Sequence, residues 1–151
     1  SPFLDGISRI RELFTIPYGE VVKRGDDDIM FDGEIKKYAT YADLKADLGT
    51  DILHPDMENP QFAVKNIWYI ENPDHDYVQI KLENIEMSVY LDHSPFEESS
   101  FQTTPEPLDE GHYYWLPSDG YYQAVVFSKD ITYSIVSPDE KLLRTFLITL
   151  R

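Results

Sequence analysis

The stretch from 77 to 92, YVQIKLENIEMSVYLD, constrains the fold more than any other part of the chain. Val78, Ile80 and Leu82 share one parity; Ile85, Met87, Val89 and Leu91 take the other. Strand side chains point alternately to opposite faces, so a single straight strand would leave half of these in water. A two-residue turn at Glu83-Asn84 removes the conflict. It sets Leu82 opposite Ile85, Ile80 opposite Met87 and Val78 opposite Val89, with Lys81 facing Glu86 as a favourable cross-strand pair. A bulge is the alternative, since Glu is a poor residue for a primed turn, but the spacing predicts the hairpin. An antiparallel sheet with one apolar face follows, and such a face needs a cover.

The cover is legible at the C-terminus, SPDEKLLRTFLITLR. Ser137 is expected to cap a helix, with Pro138 at its first position and Glu140 closing a capping box. Leu142, Leu143, Phe146, Leu147 and Leu150 form its apolar stripe. A second helix is predicted in TYADLKADLGTDILHP: Thr40 caps it, Asp43 sits three residues on, Leu44 and Leu48 share a face, and Gly49 stops it. A third, short helix is expected near the N-terminus, where Phe3, Leu4, Ile7, Ile10 and Phe14 recur at helical spacing with Leu13 beside them. Gly6 weakens that helix, and Pro17 and Gly19 end it.

AVKNIWYIE, HYYWL, YYQAVVFS and ITYSIVS read as further strands, rich in aromatic and branched residues. NPDHD, PSDG and Lys129-Asp130 supply turns between them. Residues 23–37 read as a polar loop or a ragged hairpin, and SPFEESSFQTTPEPLDEG, with its three prolines, as a surface loop. The expected architecture is α+β: an antiparallel sheet of about six or seven strands under two or three helices, the C-terminal one included. At 151 residues the chain suits one domain. Residues 1–37 would form an N-terminal helix and polar region, and 38–151 the core.

Acids outnumber bases 28 to 13, for a net charge of −15. That disfavours nucleic acid, which is held by Lys and Arg on phosphates, and equally an anionic bilayer surface. A solvated acidic surface that favours solubility is the plain reading; a basic partner or a divalent cation is compatible with it. With no cysteine there is neither disulfide nor thiolate chemistry. No apolar run approaches the roughly 20 residues of a membrane span. The chain opens on Ser1 and not on methionine, and the expectation is that a leader or anchor precedes it in the full-length protein.

Catalytic patterns are weak. His54, His75, His93 and His112 include no pair at helical ligand spacing, and His75 between Asp74 and Asp76 sits in a turn composition. Asp26, Asp27, Asp28, Asp32 and Glu34 lack the alternation of a calcium loop and read as a solvated charge run. Arg24-Gly25-Asp26 spells an adhesion tripeptide, a match short enough to arise by chance. No nucleophile elbow, phosphate loop or dinucleotide fingerprint occurs, so neither an enzyme nor a cofactor is expected. Aromatics are the larger excess. Tyr113, Tyr114, Trp115, Tyr121 and Tyr122 crowd one hairpin, with Trp68 and Tyr69 on an earlier strand. Alternation sends about half inward. The candidate ligand-binding patch is Tyr113, Trp115, Tyr121, Tyr122 and Trp68, suited to a protein partner, a sugar or an apolar molecule.

The order of elements from Tyr38 to Arg151 carries a family resemblance. A helix over a leucine-proline corner (LGTDILHP) precedes FAVKNIWYI, the hairpin VQIKLENIEMSVYL, and a closing strand-helix pair marked by Tyr133, Ile135, Ser137, Glu140, Leu142 and Leu143. This resembles a domain of unknown function at the extracytoplasmic end of Gram-positive membrane proteins, several of anti-sigma-factor-like architecture. Lys141 interrupts the Glu-Leu pair of that pattern. The resemblance implies a curved sheet with helices, like those of periplasmic lipoprotein-carrier and sigma-regulator sensor domains, and brings no catalytic residues. The expected function is therefore a non-catalytic extracytoplasmic sensing or interaction domain of a membrane-anchored bacterial regulator. The alternatives are a carrier of a lipid or other apolar ligand, and an acidic immunity-type cytoplasmic protein that neutralises a basic partner.

Overall fold

The computed structural model describes residues 21–24, 27–30, 34–71 and 76–151. The expected N-terminal helix, the breaks at Pro17 and Gly19, Gly25, Asp26, Asp32 and the turn from Asn72 to His75 lie outside the described residues. The hairpin at Glu83-Asn84 forms as expected. Strands β5 (Tyr77–Leu82) and β6 (Ile85–Tyr90) pair Leu82 with Ile85, Lys81 with Glu86, Ile80 with Met87 and Val78 with Val89. Asn84 takes the positive φ that closes the turn, at 59°.

Around this hairpin the chain builds two four-stranded meanders. The first contains β3 (Glu34–Tyr38), β4 (Val64–Glu71), β5 and β6; the second contains β7 (Glu106–Leu108), β8 (Gly111–Ser118), β9 (Tyr121–Ser128) and β10 (Ile131–Ser137). They join where β10 pairs antiparallel with β6, giving an eight-stranded antiparallel sheet in the order β3-β4-β5-β6-β10-β9-β8-β7. A separate hairpin of β1 (Val21–Arg24) and β2 (Asp27–Met30) accounts for the ragged polar stretch. The sheet thus exceeds the expected six or seven strands. The additions are its two edges: β3 lies in the stretch read as loop or hairpin, and β7 in the proline-rich segment read as loop. Edge strands are short and polar because only one side of each is paired, which mutes the strand signal.

Two continuous rows of side chains fill one face. Trp115, Ala124, Ile135, Met87, Ile80 and Ile67 lie in register across β8 to β4, and Tyr113, Val126, Tyr133, Val89, Val78 and Tyr69 form the next row. Helices α1 (Tyr41–Leu48) and α2 (Glu140–Thr149) supply the cover among the described residues. Leu44 of α1 and Leu143, Phe146 and Leu147 of α2 are fully buried in the same core, Phe146 edge-on to Phe62 with ring centroids 5.3 Å apart. Burying a large apolar side chain stabilises by about 1.5–3 kcal/mol.

Helix α1 starts and stops as expected. The Thr40 hydroxyl accepts from the Asp43 N–H at 3.1 Å, and Gly49 takes a left-handed φ of 67°. Helix α2 starts later than expected. Its cap is Asp139, whose Oδ1 accepts from the Leu142 N–H at 3.1 Å, while the Ser137 hydroxyl accepts from the Asp139 N–H. Ser137 therefore shapes the turn before the helix, and Glu140 is its first residue and not the partner in a capping box.

The opposite face carries a polar ladder at its centre. Gln79, Ser88 and Ser134 are neighbours across β5, β6 and β10. Ser88 donates to Gln79 at 2.6 Å, and Gln123 on β9 donates to Ser134 at 3.0 Å. The connection from 91 to 105 crosses toward β7 over part of this face: Phe101 stacks on Tyr114 at 4.5 Å and Phe96 meets Tyr90 edge-on at 6.3 Å.

Candidate functional site

Alternation along β8 sends Tyr113 and Trp115 to the helix side and His112 and Tyr114 to the other. Across the turn at Asp119-Gly120, β9 brings Tyr122 to the helix side and Tyr121 to the opposite one. The small side chain of Ala124, opposite Trp115, leaves room for the indole, and Trp115 lies 5.8 Å from Tyr122 at a tilt of 31°. Three of the five expected patch residues, Tyr113, Trp115 and Tyr122, thus come together beside α2. Tyr121 faces away, and Trp68 is buried on the far face beside Ile70, several strands distant. Tyr113 is itself buried, so Trp115 and Tyr122, each half-buried, are the reachable rings.

Three charged residues complete this edge; of them the sequence singles out only Glu140, and as a helix cap and not as a site residue. The Arg144 guanidinium sits over the Trp115 ring, 4.0 Å from its centroid. Glu106, opposite Tyr113 on β7, lies 3.8 Å from Arg144, and Glu140, one helical turn before it, lies 3.9 Å away. The Tyr113 hydroxyl donates to Glu106 and fixes that carboxylate. Burial, reinforced by this bond and the carboxylate charge, pushes the Tyr113 phenol up to about 12. Only the four-residue spacing of Glu140 and Arg144 is visible in sequence; Glu106 was concealed in the segment read as loop. The result is an aromatic floor with a carboxylate rim, an arrangement that stabilises a planar cation.

At one end of the sheet, shallow clefts flank the Lys129-Asp130 turn. One of about 250 Å³ is bordered by Lys45, Asp51, His54, Glu110, Lys129 and Arg151. Its charges are largely self-compensated: Lys45 meets Asp51 at 2.5 Å and Lys129 meets Glu110 at 3.6 Å. The Lys45 bond and charge hold the Asp51 carboxyl below its ordinary range. A neighbouring cleft of about 380 Å³ contains His112, Glu98 and Ser128. His112 Nε2 lies 2.6 Å from Glu98 Oε2, which also accepts from the Tyr114 hydroxyl at 2.9 Å. The Tyr114 bond, then His112, lowers the Glu98 carboxyl.

Imidazole, carboxylate and serine in one cleft invite comparison with a nucleophilic triad. Ser128, however, donates its hydroxyl to the Glu110 carbonyl, which turns it away from the base such chemistry needs. His54 contacts its neighbour Pro55 and lines the other cleft, and His93 is exposed. Among the described residues no three His, Asp or Glu side chains gather as metal ligands, and no helix is long and apolar enough to cross a membrane. No family model matches this chain, and neither does any curated protein or solved structure.

Proposed function

We propose that the chain is a non-catalytic interaction domain, acting as the extracytoplasmic sensing part of a membrane-anchored bacterial regulator. The carrying observation is the half-buried Trp115–Tyr122 pair rimmed by Glu106, Glu140 and Arg144. Aromatic rings with an arginine at a domain margin have the composition of a recognition surface. The resemblance of residues 38–151 to extracytoplasmic domains of Gram-positive membrane proteins supports the placement and the regulatory role. Protease added outside intact cells that make the full-length protein tests the placement. Cleavage within this domain supports it; protection until the membrane is permeabilised contradicts it.

A second reading, an acidic immunity-type protein bound to a basic partner, is favoured by the charge of −15. Steep salt dependence of the association rate, together with cytoplasmic location, would favour it over the first. The apolar-ligand carrier has less support. The space between the sheet and the two helices is occupied by Leu44, Phe62, Leu143, Phe146 and Leu147, all fully buried, and the clefts beside the Lys129-Asp130 turn are edged with charge.

A further inference from the structure

We infer that Arg144 is a displaceable occupant of a cation site, and that the ligand taken in its place is an arginine side chain from a basic segment of a protein partner. The inference rests on the interaction reading above and names the chemistry of the partner. The site holds a guanidinium already: its own, flat ring beneath and carboxylates at the side. The hold is weak. Distances of 3.8 and 3.9 Å to Glu106 and Glu140 exceed hydrogen-bond length, the Tyr113 phenol oxygen is the one further polar group among the described residues that Arg144 meets at this edge, and the three charged side chains are 43%, 52% and 50% exposed.

A long arginine on a helix surface has solvent-facing rotamers open to it, so it can swing clear at little cost. Once it leaves, Glu106 and Glu140 stand unneutralised beside the Trp115 face in a strongly acidic domain. An incoming cation restores that balance. Arginine fits better than lysine, because its planar fork stacks on an indole while donating to a carboxylate. Tyr113 keeps the Glu106 carboxylate fixed throughout.

The test is titration of the domain with an arginine-glycine-serine repeat peptide and with its citrulline counterpart, which has the same shape and no charge. Arg144→Gln is expected to bind the arginine peptide about 3- to 10-fold more tightly than the unmodified domain, the range a displaced cation–π contact supplies. Lys141→Gln, which removes the same charge from an exposed position on the same helix, should change affinity less. In the Arg144→Gln background, Trp115→Leu should abolish the preference for arginine over citrulline, and Trp115→Phe, which keeps a ring and guards against misfolding, should retain most of it. Equal affinity of Arg144→Gln and Lys141→Gln, an undiminished preference after Trp115→Leu, or no binding by any variant would overturn the inference. If it is overturned while the full-length protein still cross-links to a partner through the Trp115–Tyr122 edge, the interaction reading stands.

Discussion

The Tyr133 hydroxyl accepts a 2.9 Å hydrogen bond from the Leu53 backbone N–H in the buried core, tying β10 to the segment that follows α1. The same segment exchanges two backbone bonds between His54 and Arg151, at 3.1 and 3.0 Å. Tyr133→Phe would leave a buried donor unsatisfied, and it should lower unfolding stability by about 1–3 kcal/mol without altering the denaturant slope. Tyr41 is the counter-case. Its hydroxyl is buried without a hydrogen-bond partner among the described residues, so Tyr41→Phe should be neutral or stabilising in the same denaturant titration.

Alkaline pH should destabilise the fold through its buried phenols. Burial pushes Tyr133 up to about 12, against the opposing pull of the Leu53 bond, and raises Tyr41, Tyr69 and Tyr77 in the same direction. A phenol with a raised folded pKa keeps its proton more tightly in the native state, so its contribution is complete below the unfolded value near 10 and is lost as pH rises toward 12. Stability should therefore hold to about pH 9 and fall above pH 10. Phenolate absorbance should show the buried tyrosines ionising only as the protein unfolds.

The Lys129-Asp130 turn carries two non-glycine residues at positive φ, 49° and 67°. Such a conformation matches the twist of a hairpin but costs an L-residue energy that glycine avoids. Asp130→Gly should stabilise by about 0.5–1 kcal/mol, a rise in Tm of roughly 1–4 °C for a chain this size. Thermal unfolding checks it, and Asp130→Val should shift Tm the other way.

Gly111 opens β8 where a side chain has no room. A Cβ there would stand 2.4 Å from the Phe127 carbonyl oxygen, which is backbone and cannot swing aside. Gly111→Ala should cost about 1–3 kcal/mol by overpacking and loosen β7 from β8, seen as faster amide exchange at Leu108.

The central hairpin was legible to the residue. Both arms bury one face, so the parity change between Leu82 and Ile85 admits a single register once the turn is placed. The start of α2 was not. Pro138 at a first helical position argues for a cap at Ser137, but Asp139 remains extended, at φ −117° and ψ 109°, and takes the cap itself. Edge strands β3 and β7 escaped because Lys36, Lys37 and Pro107 do not read as strand, and pairing on one side supplied what propensity lacked. The aromatic edge was half visible: Trp115 and Tyr122 stand out as aromatics around one turn. Arg144 reaches Trp115 only through the packing of α2, a long-range contact that no local pattern announces.

Photo-cross-linking in cells tests the central claim most directly. A benzophenone amino acid replaces Trp115 in the full-length protein, and, in a parallel strain, Tyr121 on the other face. A domain that recognises a partner through its Trp115–Tyr122 edge should give one dominant adduct from position 115, attached to a basic segment of a single protein, and little from 121. Adducts from 121 with none from 115 would contradict the account.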